Sequence, residues 1–168
     1  MNNGVRIGQW QVDWFEDVRW RIDGGAMFGR VPRVLWEKDN PPDEQNRVEV
    51  TCRPMLLRGD DGTVVLIDTG LGTTYDAKLR RNFAIPEGNQ LIEGLARFDI
   101  TPDNVSYVVL THLHFDHVGG AVRKNDSGVV VPTFPNARHL IDRGEWELAH
   151  TEHPVIRQIG RASCREKV

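Results

Sequence analysis

The stretch Thr111-His112-Leu113-His114-Phe115-Asp116-His117-Val118-Gly119-Gly120 follows directly on the largely apolar run Val105–Leu110. That run reads as a strand, so the polar side chains emerge at a strand's C-terminal end. In extended backbone, residues i and i+2 project to the same side, which lets His112 and His114 bind one metal together. The chain must then turn, and the turn brings Asp116 and His117 to a second, adjacent position. Imidazole nitrogens with a carboxylate oxygen suit zinc, and iron, manganese or cobalt accept similar donors. Gly119 and Gly120 allow the backbone to pass close behind the metals. With this composition, three His and one Asp at these offsets arise by chance in roughly 6 of 10,000 chains of this length, so the pattern is a motif.

Outward from the motif, the chain reads as alternating strands and helices. Residues 1–22 suggest a β-hairpin or two short strands from their two-residue apolar period, and 23–29 suggest a glycine-bearing loop. The polar, proline-bearing stretch 38–47 reads as an exposed loop. Residues 50–58 and 63–67 are expected to pair as strands about the turn Gly59-Asp60-Asp61-Gly62. The β-branched run Thr63–Ile67 suggests a strand buried on both faces. Residues 88–97 show helical spacing, and a strand at Arg138–Ile141 is expected to lead into a helix near Asp142.

The 168 residues are 39% hydrophobic, with 21 Lys and Arg against 24 Asp and Glu for a net charge of −3. That composition excludes a disordered chain, and two cysteines exclude a disulfide-stapled scaffold. No apolar run approaches the ~20 residues of a membrane span, and the first residues lack the apolar core of a signal peptide. The near-neutral balance speaks against nucleic acid as a partner. The expectation is a single cytoplasmic domain, with no membrane association.

His-x-His-x-Asp-His after an apolar strand resembles the metallo-β-lactamase superfamily. Leu66-Ile67-Asp68-Thr69-Gly70 is similar to the strand-end Asp-Thr-Gly that precedes the motif there. Asp23–Gly29 followed by Val31-Pro32 and Leu35-Trp36, and Thr133–Ala137 leading to Glu145-Trp146, resemble YtnP-like quorum-quenching lactonases. The resemblance implies an α/β (α+β) class, the αββα four-layer sandwich, of which this chain holds the N-terminal part. It implies two zinc ions (Zn2+), His112 and His114 on the first and Asp116 and His117 on the second. It further implies a metal-dependent hydrolase in which metal-bound hydroxide opens a lactone ring of the N-acyl-homoserine lactone kind. Asp116 then has a second, catalytic role as proton carrier, and Asp68 orients the ligand loop from behind, with a plain turn-capping Asp as the competing reading. Met27 and Phe28 are candidates for contact with an apolar substrate tail, with ordinary packing of the loop on the core as the equal alternative. Other hydrolases on this scaffold, acting on thioesters, phosphodiesters or sulfate esters, remain alternatives, as does a short non-catalytic metal binder.

The remaining candidates are weaker. His139 reads as a packed or surface side chain, and Lys78, Arg80 and Arg81 as a solvated helix face. Cys52 reads as a buried thiol. His150 and His153 have helical i, i+3 spacing without flanking ligands. The hydrolase domain is expected over 1–157. Gln158–Val168 resembles the translation of a sequencing adapter, Gln-Ile-Gly-Arg-Ala-Ser-Cys-Arg-Glu-Arg-Val, and 158–168 is therefore expected to be a non-native tail. Further ligands, a His, an Asp and a His, are expected beyond the chain end, leaving this chain inactive. Half a sandwich also implies an apolar sheet face open to aggregation or to a homodimer.

Overall fold

Strands β1 (Val5–Ile7) and β2 (Trp10–Trp14) form an antiparallel hairpin, with Val5 opposite Val12 and Ile7 opposite Trp10. The computed structural model describes residues 4–88 and 90–151. His153, the expected boundary at 157 and the tail 158–168 lie outside the described residues. After the hairpin come β3 (Arg19–Asp23), α1 (Gly24–Phe28) and α2 (Arg33–Trp36). Then follow β4 (Arg47–Thr51), β5 (Met55–Gly59), β6 (Val64–Ile67), α3 (Ala77–Asn82) and α4 (Gln90–Ala96). A 3-10 turn at Pro102–Asn104 leads into β7 (Tyr107–Leu110) and α5 (Phe115–Val118). The hairpin of β8 (Val122–Lys124) and β9 (Val130–Pro132) precedes β10 (Arg138–Ile141) and α6 (Arg143–His150).

Six strands make one sheet in the order β1-β2-β5-β6-β7-β10, while β3-β4 and β8-β9 are separate pairs. The β5–β6 pair is antiparallel, as its Gly-Asp turn predicts, whereas β6, β7 and β10 run parallel. Parallel neighbours need a long crossover, and α3 with α4 supplies it between β6 and β7. Three strand ends, at Ile67, Leu110 and Ile141, therefore open on one edge of the sheet. Ligands of open α/β sheets gather outside such carboxyl ends.

Two expectations are corrected. Residues 23–29 are not a plain loop: the Asp23 side chain accepts a hydrogen bond from the Ala26 N–H and caps α1. The run 50–58 is not one strand. It breaks at residues 52–54, where Pro54 lacks an N–H for a ladder, and the part before the break pairs with β3 instead of β6. The burial of β6 expected on both faces holds on one: Val64 and Leu66 are buried, while Val65 and Ile67 on the other face are only half-buried.

The core lies on one face of the sheet. Leu56, Leu66 and Val108 are fully enclosed against Leu91 and Leu95 of α4, with Phe15 and Phe134 closing the ends. Burying a leucine of this kind contributes about 1.5–3 kcal/mol. At one end of that face Asp13, 1% exposed, pairs with Arg58 at 2.7 Å, and the guanidinium lies over the Phe98 ring. A second cluster of Trp20, Cys52, Leu71 and Ile85 packs beneath Tyr75, Phe83 and Phe115. It ties β3 and the segment after β6 to the beginning of α5. Among the described residues, the opposite face of the sheet leaves Val5, Ile7, Trp14, Met55 and Leu140 exposed.

Arg80 departs from a fully solvated face, because its guanidinium donates to the carbonyls of Pro86 and Thr73. His139 is exposed on β10, and His150 is tied to the Trp146 carbonyl at 2.7 Å. Cys52 is a buried free thiol. No helix among the described residues is long and apolar enough to cross a membrane.

Candidate metal centre

Strand β7 ends at Leu110, and the next residues turn over the carboxyl edge of the sheet. His112 Nε2 lies 3.1 Å from His114 Nδ1. Two nitrogens held tetrahedrally at the ~2.0–2.1 Å zinc distance are about 3.3 Å apart, so this pair has the spacing of two ligands on one ion. The turn at His114 starts α5, which carries Asp116 and His117 back toward the same edge. The His112 and His117 rings lie 3.9 Å apart between centroids, and His117 Nε2 is 3.6 Å from Asp116 Oδ2. All four motif side chains thus adjoin one another, two by two. Among the described residues, no three His, Cys, Asp or Glu side chains converge on a single metal position.

Asp68, at the end of β6, reaches across to this cluster. Its Oδ2 lies 2.8 Å from His117 Nδ1, and the Thr111 N–H and hydroxyl both donate to the same carboxylate at 2.8 Å. Asp68 has φ +58, a left-handed conformation that Asp tolerates better than most residues and that turns the side chain onto the ligand loop. Burial pushes its carboxyl pKa up, but the bonds from His117 and Thr111 together outweigh burial and hold it below the usual value. The same bond raises His117 against its own burial. A carboxylate only accepts, so Nδ1 of His117 carries a proton, and in the neutral ring Nε2 is left with a lone pair for a metal. His112 is lowered, chiefly by burial and then by the neighbouring imidazoles, which favours the neutral, metal-binding form.

The backbone of the ligand segment is clamped from below. The Thr69 N–H and hydroxyl donate to the His117 carbonyl at 2.7 and 3.0 Å. The Tyr75 hydroxyl donates to the Phe115 carbonyl at 3.1 Å, and the Cys52 thiol to the Asp116 carbonyl at 3.4 Å. Burial pushes that thiol up to about 12, so it stays a neutral donor. Gly119 and Gly120 do permit a close backbone approach, but the loop Thr69–Gly72 fills the space. A methyl group on Gly120 would overlap the Thr69 carbonyl oxygen. The contacts of Thr69, Tyr75 and Thr111 with this segment and with Asp68 are ones that motif reading missed. Their spacing from the histidines in sequence carries no signal, and only the Asp-Thr-Gly stretch pointed toward Thr69.

A groove of about 730 Å³ opens beside the histidines. Its lining includes Ile22, Met27, Leu79, Phe83 and Phe115, and it reaches His114 and Asp116. Met27 sits in this lining. Phe28 does not: its ring stacks on Trp36 with centroids 4.6 Å apart, holding α1 to α2.

Comparison with known proteins relates this geometry to a family. Residues 49–123 match the Metallo-beta-lactamase superfamily. The chain is 37% identical over 145 residues to N-acyl homoserine lactonase AttM of Rhizobium radiobacter. It is 44% identical over 145 residues to the protein of the same name in Rhizobium johnstonii. Each alignment covers 80% of this chain and 49% of the relative, so the chain spans about half the length of the curated relatives it matches. Among solved structures, a "probable metal-dependent hydrolase" from Staphylococcus aureus superposes with a TM-score of 0.81 at 31% identity, covering 97% of this chain and 56% of that one. Residues 49–123 thus carry a match to the metallo-beta-lactamase superfamily, and the chain around them is similar to these relatives in sequence and fold.

Proposed function

We propose that this chain supplies the first half of a dizinc active site that opens the ring of N-acyl homoserine lactones. The observation that carries the reading is the pairing of His112 with His114 and of Asp116 with His117 at the sheet's carboxyl edge, directly beside an apolar groove. The two relatives named as N-acyl homoserine lactonases support the substrate class.

His112 and His114 would hold one zinc, and Asp116 and His117 the other. Asp68 fixes the His117 ring through Nδ1, an arrangement that sharpens metal affinity and orientation. The chemistry such ions would supply is a water of near-neutral pKa and polarisation of a carbonyl oxygen. Water adds to the lactone carbonyl carbon and the ring C–O bond breaks. The Asp116 carboxylate takes the proton from the water and returns it to the departing alkoxide, leaving a hydroxy acid. The groove receives the acyl tail, with Met27 as an adaptable apolar contact, while Phe28 supports α1 from behind.

By itself the chain is inert in this scheme. Catalytic zinc generally takes three protein ligands, and the described residues offer two donors at each position. The test joins two measurements. The purified chain is assayed with zinc and an N-acyl homoserine lactone, and so is a chimera of AttM from Rhizobium radiobacter whose matching half is replaced by residues 4–151. The expected result is no turnover by the chain, zinc-dependent ring opening by the chimera, and loss of that activity in the His112→Ala chimera. A folded, zinc-loaded chimera that leaves the lactone intact overturns the assignment, and turnover by the chain alone overturns its inertness.

A further inference from the structure

Strands β6 and β10 flank β7 and run parallel to it, and the chain beyond each sends a carboxylate onto the ligand segment. From the end of β6, Asp68 accepts the Thr111 N–H at 2.8 Å. From the first turn of α6, half-buried Glu145 accepts the Leu113 N–H on Oε2 at 3.4 Å. Pairing of Ile141 with Leu110 ends β10 level with β7, so α6 begins beside the ligand segment. Asp142 fixes that beginning by accepting the Gly144 and Glu145 N–H groups. Leu113 stands between His112 and His114, and its backbone angles therefore set how far apart the two imidazoles lie.

We propose that Glu145 is a positioning residue, holding the Leu113 peptide so that His112 and His114 keep the spacing of two ligands on one ion. The inference rests on the proposed reading of these histidines as metal ligands. A carboxylate on a backbone N–H makes a charge-assisted bond, and 3.4 Å places this one at the weak end of its kind. Without it the Leu113 peptide turns to water, and the 3.1 Å separation of His112 Nε2 and His114 Nδ1 becomes one arrangement among several. Apparent affinity falls with the fraction of chains that still hold the binding arrangement. An arrangement held about one time in ten lowers zinc affinity about tenfold, the lower limit for groups that support metal ligands from outside. Asp68 does not take over, because its carboxylate is engaged by Thr111 and His117.

The test uses the full 168-residue chain and three substitutions. Amide-proton exchange at Leu113 is read without metal, and zinc affinity by competition with a chromophoric chelator. Glu145→Ala removes the acceptor. Glu145→Asp keeps the charge at the start of α6 but draws the carboxylate back by one methylene, and Glu145→Gln keeps an oxygen at the same reach. Glu145→Ala and Glu145→Asp are expected to speed Leu113 exchange and to weaken zinc binding about tenfold, and Glu145→Gln to restore both. Circular dichroism of Glu145→Asp is expected to match the parent's, so this variant carries the test if Glu145→Ala does not fold. Parent affinity in Glu145→Asp overturns the role, and so does a loss in Glu145→Gln as deep as in Glu145→Ala. A parent chain that binds no zinc overturns the metal centre and this role with it. Equal zinc affinity in the parent and all three variants overturns the role of Glu145 alone.

Discussion

Asp68 Oδ2 lies 2.8 Å from His117 Nδ1 and joins the end of β6 to the helix that carries Asp116 and His117. The contact spans 49 residues of sequence and fixes both the proton and the tilt of the imidazole. Asp68→Ala is expected to weaken zinc binding by about 10–100-fold while the fold persists, the usual effect of removing a carboxylate behind a metal-bound histidine. Competition with a chromophoric chelator measures it. Affinity equal to that of the parent chain contradicts the role given to Asp68.

Asp17 offers a pH-dependent prediction. Its side chain is 3% exposed, its Oδ2 has no hydrogen-bond partner among the described residues, and burial pushes its pKa from 3.8 up to about 7 against the pull of the Leu71 N–H. The folded chain therefore keeps a proton that the unfolded chain releases as pH rises from about 4 to 7. The stabilisation is complete below pH 4 and is lost as pH climbs through 7. Asp17→Asn keeps an acceptor for Leu71 and removes the titration. Melting curves are expected to show the variant gaining on the parent by on the order of 5 °C between pH 4 and pH 8. A difference that stays constant with pH contradicts this.

Gly120 has backbone, not a flexible side chain, where a Cβ would stand. Gly120→Ala must displace either the Thr69–Gly72 loop or the end of α5. The expected cost is about 1–3 kcal/mol, the range of overpacking, accompanied by weaker zinc binding because His117 hangs on the same clamp. Chemical denaturation together with zinc titration reads both effects. Loss of stability with zinc affinity intact separates the clamp from the site.

Met27 and Phe28 are neighbours with different surroundings. Phe28→Ala removes a ring stacked on Trp36 and is expected to destabilise the chain, with about 0.5–1.5 kcal/mol coming from the ring pair itself. Met27→Ala, 52% exposed at the groove, is expected to leave the melting temperature within about 1 °C. Paired thermal melts decide the matter, and equal losses contradict the placement of Met27 at the groove.

The parts legible in sequence are those where local chemistry dominates. The His-x-His-x-Asp-His segment, the Gly-Asp turn before β6 and the Asp142 start of α6 each declare themselves within a few residues. The site was legible as a ligand pattern and as the approach of Asp68. The split of 50–58 was not, because strand propensity does not reveal which partner a strand will choose, and β4 takes β3. Helix α1 was hidden because its glycines read as loop, while the cap from Asp23 and the packing of Phe28 on Trp36 are what hold it. Tyr75 and Cys52 reach the ligand helix through tertiary packing alone, which leaves no periodicity to read.

The most direct test of the central claim is X-ray absorption at the zinc edge of the zinc-loaded 168-residue chain. The account predicts nitrogen and oxygen scatterers at about 2.0–2.1 Å with the outer-shell signature of imidazole, diminished in His112→Ala and again in His117→Ala. A sulfur shell at about 2.3 Å, or an imidazole signal that neither substitution alters, contradicts it.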